Sequence, residues 1–253
     1  MNILSIGNSF AQDTMEHLPL VAKDLGVEGN FAFLYIPGCP IAYHYLNAMD
    51  DLPVYLYRKH AGADWVEQTK VRISQAIADE KWDWINIQHG SKDNHCYTDP
   101  IFYKHLDDLV CYIRQHAGKD TKISFNMAWV ADPEKEHHEM VDLYGNDQEK
   151  MFAALVALTR ELVEKTPGID RVSPTGAAVQ IARRSGIPEL TRDGYHVSYG
   201  FGRYMAALTF LKALTGVDIS KVRWAPEGVT DQMRNDAVRC AMQAVEQWQA
   251  DSK

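Results

Sequence analysis

The sequence opens with MNILSIGNSF (residues 1–10), and this stretch predicts how the chain begins to fold. A short, mostly apolar run ends at Gly7, which is typical of a buried strand. After Phe10 the period changes, because apolar residues recur at helical spacing from Met15 to Leu25 and Gly26 ends the run. A buried strand that leads directly into a helix predicts the first unit of an α/β fold.

The same alternation of strand and helix returns along the chain. Further strands are predicted at residues 31–36, 84–87, 122–130 and 172–174, with helical patterns between them. This order predicts a three-layer α/β/α sandwich with a parallel, about five-stranded, flavodoxin-like sheet. Because the 253 residues contain no linker, repeat or low-complexity tract, we expect residues 1–253 to form a single domain.

Two regions depart from this regular pattern. The Tyr-rich residues 41–64 have weak periodicity and predict an irregular, partly helical excursion. Residues 66–78 follow, and their amphipathic pattern predicts a helix whose apolar face includes Ile73 and Ile77. Before them, two prolines and a glycine at residues 37–40 predict a tight turn after the second strand.

Composition excludes several classes of function. The net charge is -8, which argues against a nucleic-acid partner, because phosphate binding requires clustered Lys and Arg. The cysteines are scattered and predict neither a zinc site nor a disulfide framework; they are Cys39, Cys96, Cys111 and Cys240. No signal peptide and no apolar stretch of membrane-spanning length is evident, so we expect a cytoplasmic protein with no membrane partner. A secreted protein whose signal peptide had been removed would have the same sequence.

Ligands of open parallel sheets bind beyond the carboxyl ends of the strands. That rule selects the residues that follow each predicted strand, together with a loop after the last one. The selected positions are Ser9, Gly38, Gln88, His89, Trp129, Asp193 and His196. We expect these residues to converge at one edge of the sheet.

Ser9, His196 and Asp193 together predict nucleophilic catalysis. A serine between a strand and a helix suits a helix N-cap, and it equally suits a nucleophile near the positive end of a helix. A nucleophilic serine needs a general base, and that base needs a partner that fixes its tautomer. His196 is the natural base, and Asp193 lies three residues earlier, close enough in a turn to reach the imidazole.

These motifs resemble the blocks of the SGNH/GDSL hydrolase superfamily. The first block is similar to Ile6-Gly7-Asn8-Ser9-Phe10, the second supplies a glycine that Gly38 matches, and the last, Asp-x-x-His, matches Asp193 to His196. Within the superfamily, the sequence most resembles the bacterial family called domain of unknown function 4886, which shares the IGNSF opening. The resemblance implies a serine esterase with a Ser9–His196–Asp193 triad that needs no cofactor.

The third block of the superfamily is usually Gly-x-Asn-Asp, and this sequence departs from it. The third strand ends in Gln88-His89-Gly90, and Asn94 follows further on. The resemblance implies an oxyanion hole made of the Ser9 and Gly38 backbone N–H groups and the Gln88 side chain. Asn94 is the alternative side-chain donor.

Three other features have both a functional and an ordinary interpretation. The pair His137-His138 with flanking glutamates suggests a metal, but adjacent residues do not share a helix face, so we expect no metal site. Trp129 is a candidate platform for a sugar ring and equally a candidate core residue. We expect His89 to line the substrate pocket.

The resemblance, with Gln88 in the third block, implies a function: removal of a small acyl group, such as acetyl, from an ester, for example an O-acetylated carbohydrate. The alternative is an inactive SGNH-fold protein that binds a carbohydrate or lipid without turnover. A flavodoxin-like nucleotide binder is a third class, and it would not need Asp193 and His196. The expected partner is a small-molecule or carbohydrate ester, and the oligomeric state stays open.

Overall fold

The computed structural model describes residues 1–60, 62, 64–90, 100–132 and 143–251, without the side chains of residues 100–103. Within these ranges, seven strands form one sheet. They are β1 (Ile3–Gly7), β2 (Phe31–Tyr35), β3 (Tyr55–His60), β4 (Trp65–Val71), β5 (Trp84–Gln88), β6 (Lys122–Asn126) and β7 (Arg171–Ser173). Their spatial order is β4-β3-β2-β1-β5-β6-β7.

Helices connect the strands. They are α1 (Ser9–Met15), α2 (Leu18–Asp24), α3 (Ile41–Met49), α4 (Ile73–Ala78), α5 (Pro100–His116), α6 (Gln148–Lys165), α7 (Thr175–Arg184), α8 (Phe201–Thr215) and α9 (Asp231–Ala250). In the described ranges, none of the helices has the length and apolarity needed to cross a membrane.

Five neighbouring strands, β2-β1-β5-β6-β7, are parallel. This is the flavodoxin-like order, because the chain starts in the middle of the sheet, moves to one side and then returns across β1 to the other. Each of the five strands is buried on nearly every residue, which explains why apolar runs in the sequence identified them. The prediction of a three-layer α/β/α sandwich is therefore confirmed.

An antiparallel hairpin, β3-β4, extends the sheet beyond β2 and was not predicted. In β3, Tyr55 and Tyr57 point into the core in alternation, which is a strand period within the Tyr-rich region. Strand β4 is the edge of the sheet, and its middle residues are exposed. The helix predicted over residues 66–78 is wrong in its first half, because α4 begins only at Ile73.

The sheet separates two apolar layers. Helices α1, α2, α7, α8 and α9 pack on the face that includes Ile3 and Trp84. Helices α3, α4, α5 and α6 pack on the opposite face, which includes Leu4 and Ile85. The core side chains of both layers are buried, so helices pack tightly on both faces of the sheet. This packing fixes the carboxyl ends of the strands relative to one another.

Gly7, the last residue of β1, permits a close approach between the sheet and α1. A Cβ atom at this position would lie 2.5 Å from Gln88 Cβ and 2.8 Å from Ala11 Cβ. Both distances are shorter than real Cβ contacts, so no larger residue fits without a shift of β5 or α1. The glycine thus fixes how closely the turn that carries Ser9 approaches the next strand.

The variant Gly7→Ala should lower the free energy of unfolding by about 1–3 kcal/mol through overpacking. Urea denaturation measures this loss. Gly118→Ala is the matched control, because a Cβ there would meet only Thr121 Oγ1 at 3.6 Å. Equal stability of the two variants would contradict the close packing around Gly7.

Candidate active site

Ser9 is the first residue of α1, immediately after β1. Asn8, not Ser9, caps this helix: Asn8 Oδ1 accepts a hydrogen bond from the Phe10 backbone N–H at 3.0 Å. The Ser9 hydroxyl is therefore not needed as a cap, and it lies at the positive end of the α1 dipole. This removes the ordinary explanation for a serine at this position.

The side chains of Ser9, His196 and Asp193 form a continuous chain of hydrogen bonds. His196 Nε2 lies 2.8 Å from Ser9 Oγ, and His196 Nδ1 lies 2.7 Å from Asp193 Oδ2. Such a chain lets a carboxylate fix the imidazole tautomer while the other ring nitrogen accepts the serine proton. The structure thus brings together the three residues predicted to form the triad.

Asp193 and His196 belong to a tight turn at residues 191–197. A bridge between Thr191 and Val197 closes it, and the Arg192 N–H donates to the His196 carbonyl at 2.9 Å. Asp193 Oδ1 accepts the backbone N–H groups of Tyr195 and His196, at 2.9 and 2.7 Å. These bonds leave Asp193 Oδ2 directed at the imidazole.

Electrostatics favour the ionised form of Asp193. Burial alone would raise its pKa, but the hydrogen bond from His196 and the two backbone N–H groups of the turn outweigh burial and lower the pKa. The Asp193 carboxylate therefore stays charged at a lower pH than an ordinary aspartate does. In a Ser-His-Asp triad, a charged carboxylate in this position stabilises the imidazolium that forms when the histidine takes a proton.

Two backbone N–H groups, those of Ser9 and Gly38, belong to the neighbouring turns that follow β1 and β2. Neither Ser9 N–H nor Gly38 N–H donates to any residue in the described part of the chain. Gly38 has a φ of 57°, a conformation that favours glycine, in a turn that the Cys39 N–H closes onto the Ile36 carbonyl. Asn8 Nδ2 donates to the Cys39 carbonyl at 3.1 Å and ties this turn to the Ser9 turn. The arrangement suits two donors of an oxyanion hole.

Gln88 does not supply the third donor, contrary to the prediction. Its side chain is fully buried, and Nε2 donates to the carbonyls of His89 at 2.9 Å and Asn126 at 3.3 Å. Its Oε1 accepts from Asn126 Nδ2 at 2.7 Å. Both amide hydrogens are thus occupied by main-chain carbonyls, and Gln88 holds the strand ends together. The alternative donor, Asn94, lies outside the described residues.

Trp129 and His89 were both predicted to contact the substrate, and both predictions are wrong because the two side chains are buried. Trp129 is 1% exposed, stacks on Phe10 with ring centroids 4.2 Å apart, and donates from Nε1 to the Tyr195 carbonyl at 2.8 Å. It therefore packs in the core and holds the turn that contains His196 through the Tyr195 carbonyl. His89 is fully buried beside Phe125, and burial lowers its pKa to about 3.

No group of three or more His, Cys, Asp or Glu side chains in the described ranges is arranged to hold a metal ion. The pair His137-His138, considered above for metal binding, lies outside those ranges.

Charged residues that support the triad were missed from the sequence. Asp13 on α1 is fully buried between two arginines, and Arg192 directly precedes Asp193. A second support is Asp132, which binds Arg183 at 2.6 Å and accepts from the Thr191 hydroxyl. The available signal for Asp13 was an acidic residue one helical turn after Ser9.

Comparison with known proteins places the chain in a family. Residues 2–244 match the family described as "Domain of unknown function (DUF4886)". The crystal structure of a DUF4886 family protein from Bacteroides uniformis ATCC 8492 is 32% identical, with a TM-score of 0.90 over 97% of this chain and 95% of that chain. The chain belongs to the DUF4886 family. A search of curated proteins found no match.

More distant solved structures share the fold of this DUF4886 protein. The acetylxylan esterase Axe2 from Geobacillus stearothermophilus has a TM-score of 0.52 and 15% identity over 85% of this chain and 94% of that chain. TesA has a TM-score of 0.53 and 12% identity over 86% and 100% of the two chains. These likenesses show the fold alone, and it is a fold that the acetylxylan esterase Axe2 also has.

Replacement of Asp193 tests its contact with His196. With an ester such as p-nitrophenyl acetate, Asp193→Asn should lower kcat by at least about 100-fold, because an amide does not hold the imidazole in the tautomer that accepts the Ser9 proton. Steady-state kinetics of the purified variant measure the loss. A kcat within a few-fold of the wild type would contradict the assigned contact.

Proposed function

We propose that this DUF4886 protein is a serine esterase. The observation that carries the proposal is the unbroken contact from Ser9 Oγ through the His196 ring to Asp193, at 2.8 and 2.7 Å. A helix cap would not need this chain of contacts, because Asn8 already caps α1. A protein that only binds a carbohydrate, lipid or nucleotide would not need it either.

The proposed reaction has two acyl-transfer steps. In the first, His196 Nε2 takes the Ser9 proton while Ser9 Oγ forms a bond to the ester carbonyl carbon, and negative charge moves to the carbonyl oxygen. The Ser9 and Gly38 N–H groups donate to that oxygen. As the ester C–O bond breaks, the imidazolium returns its proton to the leaving alcohol, and the acyl group stays on Ser9.

In the second step, water replaces the alcohol. His196 takes a proton from the water, the resulting hydroxide attacks the acyl carbonyl, and the same two backbone donors stabilise the second oxyanion. The proton then passes from His196 to Ser9 Oγ as the acyl–Ser9 bond breaks. The products are a carboxylic acid and the free enzyme. Asp193 keeps its charge in both steps and stabilises the imidazolium.

The proposed substrate is an ester of a small acyl group, such as an O-acetylated carbohydrate. Support comes from structural neighbours described as acetyl xylan esterases, among them Axe2 and AlAXEase. At 15% identity these structures share the fold of this chain, and the substrate class is proposed by analogy with them.

Turnover of p-nitrophenyl acetate by the purified protein tests the proposal. Ser9→Ala should lower kcat by at least about 1,000-fold, because it removes the nucleophile of the proposed reaction. Ser185→Ala is the control, since the Ser185 hydroxyl bonds to the Ile181 carbonyl and to Arg239, and not to a residue of the triad. Release of acetate from O-acetylated xylo-oligosaccharides, followed by NMR, tests the substrate class.

Equal rates in the wild type and in Ser9→Ala would overturn the assignment of the nucleophile. Absence of turnover of p-nitrophenyl acetate in the wild type would favour the inactive binding protein instead. Turnover of p-nitrophenyl acetate without release of acetate from the oligosaccharides would retain the esterase and overturn the carbohydrate substrate.

A further inference from the structure

Asp13 is a buried charge that takes no part in the proposed reaction. It lies on α1, one helical turn after Ser9, and its side chain has no exposed surface. Burial raises its pKa, and only the guanidinium groups of Arg203 and Arg192 oppose that effect. A carboxylate buried in this way is costly unless it is paired, so its contacts are strongly constrained.

The two partners of Asp13 come from different parts of the fold. Arg192 Nη1 lies 3.0 Å from both carboxylate oxygens, and Arg203 Nε lies 2.8 Å from one of them. Arg203 belongs to α8, which packs against α1 in the helical layer. Arg192 belongs to the turn that carries Asp193 and His196. Asp13 therefore links the helix of the nucleophile to the turn of the base.

Arg192 is bonded to its own turn as well as to Asp13. Its guanidinium donates to the Val197 carbonyl, and its backbone N–H donates to the His196 carbonyl at 2.9 Å. Any displacement of the turn would therefore pull Arg192 away from a carboxylate that is closed to solvent. The pair ties the backbone on both sides of the catalytic histidine to α1, where Ser9 is the first residue.

We propose that Arg192, held by the buried Asp13, is a positioning residue that sets the distance between His196 Nε2 and Ser9 Oγ. This inference rests on the proposed esterase function, because that distance matters only if Ser9 is the nucleophile. The two groups act through the turn backbone and do not contact the reacting atoms. A misplacement of about 1 Å between reacting groups can lower turnover by about 100-fold.

Arg203 offers a matched control, because it pairs with the same carboxylate but belongs to α8. Arg192→Gln and Arg203→Gln each remove one guanidinium from Asp13 and leave the other in place. Thermal unfolding should show a similar drop in Tm for both variants. With p-nitrophenyl acetate, kcat of Arg192→Gln should fall about 10- to 100-fold at nearly unchanged KM, while Arg203→Gln should lose no more than a few-fold.

Two further variants separate positioning from a direct contact with substrate. Asp13→Asn removes the carboxylate that holds Arg192, so its kcat should fall as far as that of Arg192→Gln. Arg192→Lys keeps the charge, but an ammonium cannot hold both the carboxylate and the Val197 carbonyl in the same planar geometry, so rescue should be partial. A rise in KM with unchanged kcat in Arg192→Gln, with Asp13→Asn unaffected, would assign Arg192 to substrate binding and overturn the proposal.

The outcomes also separate this proposal from the function on which it rests. If Arg192→Gln and Arg203→Gln lose kcat equally and in proportion to Tm, the pair is merely structural and the positioning role is wrong, even though Ser9→Ala is inactive. If Ser9→Ala keeps the activity of the wild type, the esterase mechanism itself fails, whatever the arginine variants do.

Discussion

The hydrogen bond between Ser9 Oγ and His196 Nε2 joins residues 187 positions apart in the chain. Neither residue can reach the other through local structure, so the contact depends on the parallel sheet that carries β1 at its centre. Ser9 follows β1 directly, whereas the turn of His196 is supported by Trp129, just beyond β6, and by Asp13 on α1. The chemistry of the site therefore depends on how rigidly the strand ends are held.

Buried polar side chains hold those strand ends. Asn86 bonds to Ser5 on one side and to Ser124 on the other, which crosses β1, β5 and β6. Two residues further along β5 and β6, the Asn126 amide donates to Gln88 Oε1 and accepts from the Thr175 hydroxyl. Buried networks of this kind stabilise one arrangement only when every member is paired. Gln88 belongs to this network, which explains why it is unavailable to an oxyanion.

The sequence predicted the parallel strands because each is a short apolar run, buried from both sides. It did not predict β3 and β4, since the edge strand exposes most of its residues and lacks an apolar signal. At the site, residue type and position after a strand were sufficient to suggest Ser9, Gly38, Asp193 and His196. They were insufficient for Gln88, because its hydrogens are occupied by carbonyls that only the folded sheet brings near. The contact between Asp13 and Arg192 spans 179 positions and leaves no local pattern.

We propose that Ser9 is the nucleophile and that His196 activates it. A fluorophosphonate, which forms a stable covalent bond with activated serines, tests this assignment most directly when peptide mapping by mass spectrometry locates the adduct. We expect one phosphonyl group per chain, on the peptide that contains Ser9, and no adduct when His196 is replaced by Ala. An adduct on another residue, or equal labelling of Ser9 without His196, would contradict the claim.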